Sequence, residues 1–469
     1  MKSGEMRREG KPGDGHWSGP AAASDRIAFI MLSLFLLFGS LPHGLVSPAG
    51  RFALQLFSFS LAALVSIGSP GRAGKPAGAV IALLMILAGI GLLQSLPLAN
   101  GVVDAVSPAS ARIYHESETI LKNSGRASGS MRLSIAPRRT LESALGVLAC
   151  AAILFSSAIL ARTSRRRRII AGSLVTGALI QLLYVVAIAQ PGRIRGTLVV
   201  TNNFAALLAI AFATAGAFAL AERSRSPVRA LFFMLSTVAI GIGLVWTRST
   251  GGLAAAVFSL GLVFAVDRLR GRIRPATAFV LSLIAPLTGL AATLLFAVKG
   301  TALLSYLPAG PLARETSRVV MWSSALETWL KFPWLGAGLG AFEDALRSPS
   351  ISHAVAHPHN EVLHLAVTGG IAGLAVAAAA LIVAWKTLVR GAFDAPDNEL
   401  AMALSALGAL CAITLHGLVD FPLAIPAIAA TLAIVVGAGL GSTSRDSREL
   451  PASFVEGRRT VYSDPAQRS

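Results

Sequence analysis

The sequence predicts an all-α fold, namely a polytopic bundle of about 12 transmembrane helices with a large, partly helical loop on one face of the membrane. Three observations predict it: an apolar composition, twelve apolar segments of membrane-spanning length, and basic loops after every second segment. Together they favour an integral membrane protein over a soluble one.

The composition is the first observation. Of 469 residues, 54% are hydrophobic and only 14% are charged, which is too few to cover the surface of a soluble domain. The net charge of +18 suggests nucleic acid at first, but the Lys and Arg residues fall in short stretches between apolar segments. We therefore expect membrane lipids and no nucleic acid as partners. Cys150 and Cys411 lie inside apolar runs, which argues against a disulfide framework or a cysteine metal site.

The apolar segments are the second observation. A hydrocarbon core of about 30 Å requires about 20 residues of helix. The predicted spans are 27–46, 52–70, 78–98, 142–161, 169–190, 201–221, 230–247, 252–266, 276–298, 362–385, 400–417 and 422–441.

The basic loops set the predicted orientation. Cytoplasmic loops collect Lys and Arg, and alternate loops here do so, above all in the run Arg165 to Arg168. We expect a cytoplasmic N-terminal tail over 1–26 and a cytoplasmic, disordered tail over 442–469. Two long loops, 99–141 within the first nine helices (27–298) and 299–361 before the last three (362–441), then lie on the outer face.

Histidines concentrate in the second long loop. His353, His357, His359 and His364 fall within twelve residues, whereas the spans place no ionisable group at mid-depth. This pattern argues against an ion-coupled transporter, which carries such groups near the midplane. Pro358 interrupts any helix before Asn360, so the histidines lack the spacing of a helical metal site, and we expect none.

Several motifs occur in a characteristic order. His359 and Asn360 are followed, after nine residues, by Gly370 and Gly373. Upstream stand Arg318, Trp322 and then Pro333, Gly336, Gly338, Gly340 and Phe342, and the segments 196–210, 244–256 and 415–441 complete the order. This order resembles the O-antigen ligase and O-antigen (exopolysaccharide) polymerase family of bacterial membrane glycosyltransferases, over roughly residues 78–441.

The resemblance implies a multi-pass protein of the bacterial inner membrane with both termini cytoplasmic and a periplasmic active site. It would move an oligosaccharide from undecaprenyl diphosphate to a glycan or lipid A-core acceptor, by inversion and without metal or cofactor. Other polysaccharide-export proteins are further partners it implies. Polymerase, ligase and protein glycosylation stay open, although the first outer loop is similar to the polymerase branch.

The chemistry suggests roles for individual residues. Histidine titrates near neutral pH, so His359 is the predicted general base. Arginine donates bidentate charge-assisted hydrogen bonds, which suits a leaving diphosphate. Arg318 and Arg248 are the catalytic candidates, with weaker ones at Arg193, Arg195 and Arg314. Many family members read Ser-Arg-Gly where this chain has Thr250 before Gly251, so Arg248 would supply the charge two residues earlier.

Further candidates for substrate binding have structural alternatives. Asn360 either caps the next helix alone or also orients His359, and His357 either binds the acceptor or orders the loop. Trp322 stacks on a sugar or lies in an interfacial helix, and Asp420 positions an arginine or shapes a turn. Asn202 and Asn203 are substrate-binding candidates because they lie in the segment 196–210, which is part of the resemblance. The competing class is a lipid-linked oligosaccharide translocase, which would line a path through the membrane with polar residues.

Overall fold

The computed structural model describes residues 20–68, 74–124, 130–304, 313–346 and 357–443, and all of its regular elements are helices. The helices are α1 (Pro20–Phe38), α2 (Pro48–Gly68), α3 (Lys75–Ser95), α4 (Asn100–Val106), α5 (Pro108–Asn123), α6 (Pro137–Leu160), α7 (Ser164–Ala187), α8 (Thr201–Glu222), α9 (Pro227–Thr247), α10 (Thr250–Leu269), α11 (Pro275–Ser282), α12 (Ile284–Leu304), α13 (Ala313–Lys331), α14 (Phe342–Ala345), α15 (Glu361–Asp394), α16 (Asp397–Gly417) and α17 (Pro426–Thr443).

Twelve segments of these helices are long and apolar enough to cross a membrane, which confirms the predicted fold class and number of spans. Some boundaries differ. The first span is 21–38 rather than 27–46, because the chain turns at residues 39–45, and the last begins at Pro426 because Pro422–Ala424 forms a 3-10 turn. The tenth span is the longest and reaches Asp394.

The core of the bundle is formed by α8, α16 and α17, whose spans are the most buried. Small residues allow α8, α10 and α16 to approach closely: a methyl group added at Gly408 would lie 2.9 Å from the Cβ of Ala213 and 2.8 Å from Val263. Ser405 donates a hydrogen bond to Thr214 across the same interface at 2.8 Å. Close packing and buried hydroxyl pairs thus hold the helices that carry the site.

The arginine run at the start of α7 joins several helices at the end of the bundle opposite Asp420. Arg166 bonds the carboxylate of Asp25 on α1, Arg167 lies 3.6 Å from Glu399 on α16, and Arg168 lies 3.6 Å from Glu222 on α8. Arg229 on α9 also bonds Glu222, at 2.8 Å. The predicted cytoplasmic run is therefore also a structural ion-pair cluster.

Helix α15 is broken at Gly370, where φ is 62° and ψ is −164°. The break leaves backbone groups without helical partners, and such groups must be satisfied inside a membrane protein. The loop after α13 satisfies them: Ile371 N donates to Pro333 O at 2.8 Å, and Ala337 N donates to Val367 O at 2.8 Å. The outer part of α15, which follows His359, is thereby fixed to this loop.

Gln94, at the outer end of α3, completes this contact. Its side chain is fully buried, donates to the carbonyls of Leu335 and Thr368, and accepts from Leu339 N at 3.0 Å. The first outer loop joins the same scaffold, since Ile135 N donates to Ala337 O at 3.0 Å. Both long loops therefore contribute to one support for the outer part of α15.

Candidate functional site

The centre of the site is the carboxylate of Asp420, which follows α16 and is 2% exposed. His359 Nδ1 lies 3.2 Å from Asp420 Oδ1, which also accepts a 2.9 Å bond from Phe421 N. Asn202, at the start of α8, donates its amide to Asp420 Oδ2. Residues distant in sequence therefore converge on one buried carboxylate at the end of the bundle where α8 and α15 begin and α16 ends.

The charge of Asp420 has a clear physical basis. Burial by itself would raise the pKa of this carboxyl, but the hydrogen bond from His359, the positive charge of His416 and His359, and the Phe421 N–H all lower it. The net shift of the Asp420 pKa is downward. The group is an anion at neutral pH and accepts all its hydrogen bonds.

His359 occupies a strained and partly open position. Its φ is 51°, which is left-handed and uncommon for a residue other than glycine. Its side chain is 34% exposed, whereas that of Asp420 is 3% exposed. The imidazole thus has one side on the buried carboxylate and another accessible from outside the bundle.

The neighbours of His359 fix the turn that holds it. Asn360 is the N-cap of α15: its Oδ1 accepts from Leu363 N at 2.9 Å, and its Nδ2 donates to Leu418 O at 2.6 Å. Trp322 on α13 is 7% exposed and donates its indole N–H to Pro358 O at 2.9 Å. Both predicted substrate-binding residues are therefore placed where they hold the segment on either side of His359.

His357 belongs to an aromatic group beside His359. Its ring stacks on Phe421 with centroids 4.5 Å apart, and Phe421 meets the ring of His359 at 4.8 Å. Burial lowers the pKa of His357 to about 3, helped by the positive charges of His364 and His359. His357 is neutral at physiological pH, and its buried Nδ1 has no hydrogen-bond partner among the described residues.

The predicted arginines fall into separate groups. Arg248 is exposed, ends α9 in a left-handed conformation with φ of 54°, and precedes α10. Arg193 donates to Thr247 O at 3.3 Å and to Arg248 O at 3.0 Å, so it holds this turn. Arg195 lies apart and bonds Val199 O at 3.4 Å.

On α13, Arg318 lies near enough to His416 for its charge to act on that imidazole. Asn203 is buried on α8, next to Asn202. The side chains of Arg314 and His353 lie outside the described residues.

His416, on the last turn of α16, links these groups and was not singled out from the sequence. Its Nε2 lies 4.0 Å from Asp420 Oδ2. A methyl group at Gly251 or Gly252 would lie 3.7 or 3.3 Å from its ring, so the ring packs on the turn after Arg248. The only sequence signal is its position four residues before Asp420. Within the described ranges, no three His, Cys, Asp or Glu side chains are grouped to hold a metal ion.

A fold of twelve membrane-spanning helices, with a histidine–carboxylate pair where α15 begins and α16 ends, defines a polytopic membrane protein with a polar site at one end of these helices. Residues 235–378 match the family Wzy_C, O-Antigen ligase. This segment is less than half of the chain, and over it the match confirms the resemblance, within a polytopic membrane protein of twelve candidate spans. His359 and Arg248 lie within the match, whereas Asn202, His416 and Asp420 lie outside it. No curated protein matches the chain.

Proposed function

We propose that this protein is a glycosyltransferase that moves an oligosaccharide from undecaprenyl diphosphate to an acceptor hydroxyl at the outer face of the membrane. The match of residues 235–378 to the O-antigen ligase family supports this, because that family implies glycosyltransferase activity and lipid-linked glycan substrates. One observation carries the proposal: a partly exposed imidazole, His359, is bonded through Nδ1 to the buried carboxylate of Asp420. This pairing is suited to a general base.

The pairing selects the tautomer of His359. Because the Asp420 carboxylate only accepts hydrogen bonds, His359 Nδ1 carries the proton that it shares with Asp420. The lone pair of His359 is then on Nε2, which takes the proton of the acceptor hydroxyl. Asp420 stabilises the imidazolium that forms, as in other histidine–carboxylate pairs.

The reaction is a single displacement. The acceptor oxygen forms a bond to the anomeric carbon while its proton passes to His359 Nε2. The bond between that carbon and the diphosphate oxygen breaks, and polyprenyl diphosphate leaves with the bonding electrons. Attack opposite the leaving group inverts the anomeric carbon, and His359 then releases its proton to water at the outer face.

Arg248 and Arg318 would hold the leaving diphosphate. A shallow, open groove of about 630 Å³ runs along the surface of α9 and is lined by Val238, Gly241, Ile242, Val245, Trp246 and Arg248. Ile242 and Val245 are 62% and 61% exposed within a membrane span, so the groove opens to lipid. A polyprenyl chain in this groove would place its diphosphate at Arg248.

The test uses the full-length protein in nanodiscs with a polyprenyl-diphosphate-linked oligosaccharide and two acceptors, a second lipid-linked repeat unit and a lipid A core. Products are measured by mass and by release of polyprenyl diphosphate. Wild type should glycosylate one acceptor, and that acceptor distinguishes a polymerase from a ligase. His359→Ala should lower the rate by about 10²- to 10⁴-fold, the usual contribution of a general base.

His115→Ala is the matched control, because His115 lies on α5 in the first outer loop and is 52% exposed. It should keep the wild-type rate. A His359→Ala variant as fast as wild type would contradict the assignment of the base. If no acceptor is ever glycosylated, the translocase hypothesis replaces the transferase.

A further inference from the structure

The buried imidazole of His416 has no part in the proton transfer described above. It is 1% exposed and lies on the Oδ2 side of Asp420, whereas His359 contacts Oδ1. The ring atoms on either side of Nε2, Cδ2 and Cε1, face Gly251 and Gly252 at the start of α10. His416 therefore contacts both the carboxylate that holds the base and the turn that follows Arg248.

Packing alone does not account for a histidine at this position. His416 Nδ1 is buried and has no hydrogen-bond partner in the part of the chain that the structure describes. A buried nitrogen without a partner is unfavourable, and an apolar side chain of similar size would fill the space without that cost. The imidazole differs from such a side chain in the polar Nε2 that lies 4.0 Å from Asp420 Oδ2.

We propose that His416 is a positioning residue of the transfer reaction, which acts through Asp420 and the Gly251–Gly252 turn. This inference rests on the proposed function. His416 closes the Oδ2 side of the carboxylate, so that Oδ1 stays on His359 and the base keeps its tautomer. The same ring also packs on the Gly251–Gly252 turn, and it thereby sets the distance between His359 and Arg248, which would hold the diphosphate.

The charged surroundings of Asp420 come from three elements. His359 faces it from the segment before α15, His416 faces it from α16, and the charge of Arg318 on α13 acts on His416. The start of α8 contributes the neutral Asn202, and the following turn contributes Phe421 N. Removal of His416 leaves His359 and His357, both on the segment before α15, as the ionisable groups that act on this carboxylate among the described residues, and burial keeps His357 neutral.

The experiment compares His416→Leu and His416→Gln in the full-length protein in nanodiscs. In His416→Leu, kcat should fall at least about ten-fold. The acid limb of the pH profile of kcat should also move to lower pH, because the Asp420 carboxylate is held less firmly against the His359 imidazolium. The side chain of His416→Gln keeps a polar amide on the Oδ2 side of Asp420 and should restore most of kcat and of the position of the acid limb. KM for the acceptor should change less than kcat.

Ser405→Ala is the matched control, since it removes a buried hydrogen bond from the same helix away from the site. It should leave the acid limb unchanged. A His416→Leu variant that loses activity equally at every pH, as a packing defect would, or that keeps full activity, overturns the proposal.

A second readout does not depend on turnover. The rate at which diethyl pyrocarbonate modifies His359, followed by mass spectrometry across pH, reports how that imidazole titrates. The midpoint should move to lower pH in His416→Leu but not in Ser405→Ala. This shift in a protein without transferase activity would support the coupling and reject the proposed function, and an unchanged midpoint overturns the coupling itself.

Discussion

Two residues with assigned chemistry have left-handed backbones. His359 and Arg248 are two of the five described residues other than glycine with positive φ. Strained conformations of this kind persist where the surrounding structure holds them, and they cluster at functional sites. Asn360 and Trp322 hold the first turn, and Arg193 holds the second.

At this scale the sequence predicts the base but not its partner. Histidine chemistry and the His-Asn motif single out His359, whereas Asp420 is 61 residues further on and belongs to another helix end. Its local pattern, an aspartate before Phe421-Pro422, is typical of a turn. The contact depends on how α15 and α16 pack, which a single sequence does not contain.

Asp420→Asn should change the tautomer of His359. An amide can present its NH2 group to His359 Nδ1, which would move the ring proton to Nε2 and remove the lone pair that accepts the substrate proton. We expect kcat to fall by about 10²- to 10⁴-fold, close to the loss in His359→Ala. The measurement is the release of polyprenyl diphosphate at saturating donor.

Asn202→Ala is the control for this substitution. It removes a bond to Oδ2 and leaves the contact between Oδ1 and His359, so its loss of kcat should be much smaller. Equal losses in the two variants would mean that the carboxylate matters for folding of this region rather than for the tautomer.

At the scale of elements, the break in α15 supports the site. The glycines of the motif after Pro333, namely Gly336, Gly338 and Gly340, all have positive φ and form the bend between α13 and α14. The sequence does not predict the break itself, because Gly370 and Gly373 have the spacing of helix-packing glycines. Only the contact with residues 333–338 shows that the two glycines differ.

This difference gives a matched pair of substitutions. A methyl group at Gly370 would lie 2.5 Å from the backbone of Trp334, at a φ and ψ that only glycine adopts readily. A methyl group at Gly373 would lie 3.5 Å from Leu365, which is ordinary contact. Gly370→Ala should destabilise the protein by at least about 1–3 kcal/mol and abolish transfer, whereas Gly373→Ala should be close to wild type.

Thermal unfolding in nanodiscs and the transfer assay measure both effects. The pair is informative because the two glycines belong to one motif and one helix. If Gly373→Ala were as harmful as Gly370→Ala, close helix packing rather than the backbone break would be the reason for the motif.

At the scale of the whole molecule, the site is assembled from helix ends. Asn202, Gly251 and Asn360 lie at the starts of α8, α10 and α15, and His416 lies at the end of α16. These helices are the sixth, eighth, tenth and eleventh spans, so an alternating topology places all four ends on one face. The distribution of Lys and Arg among the loops and the positions of these helix ends are independent observations. Both place the site on the face opposite the arginine-rich loops.

The proposed orientation can be tested with single cysteines. In a background of Cys150→Ala and Cys411→Ala, Glu116→Cys introduces an exposed thiol on α5, and Arg225→Cys introduces one beyond α8. If the site face is periplasmic, a membrane-impermeant maleimide should label Glu116→Cys in spheroplasts and Arg225→Cys only after lysis. The reverse labelling would place His359 on the cytoplasmic face. That result would contradict both the orientation predicted by the positive-inside rule and the proposal of a periplasmic transferase.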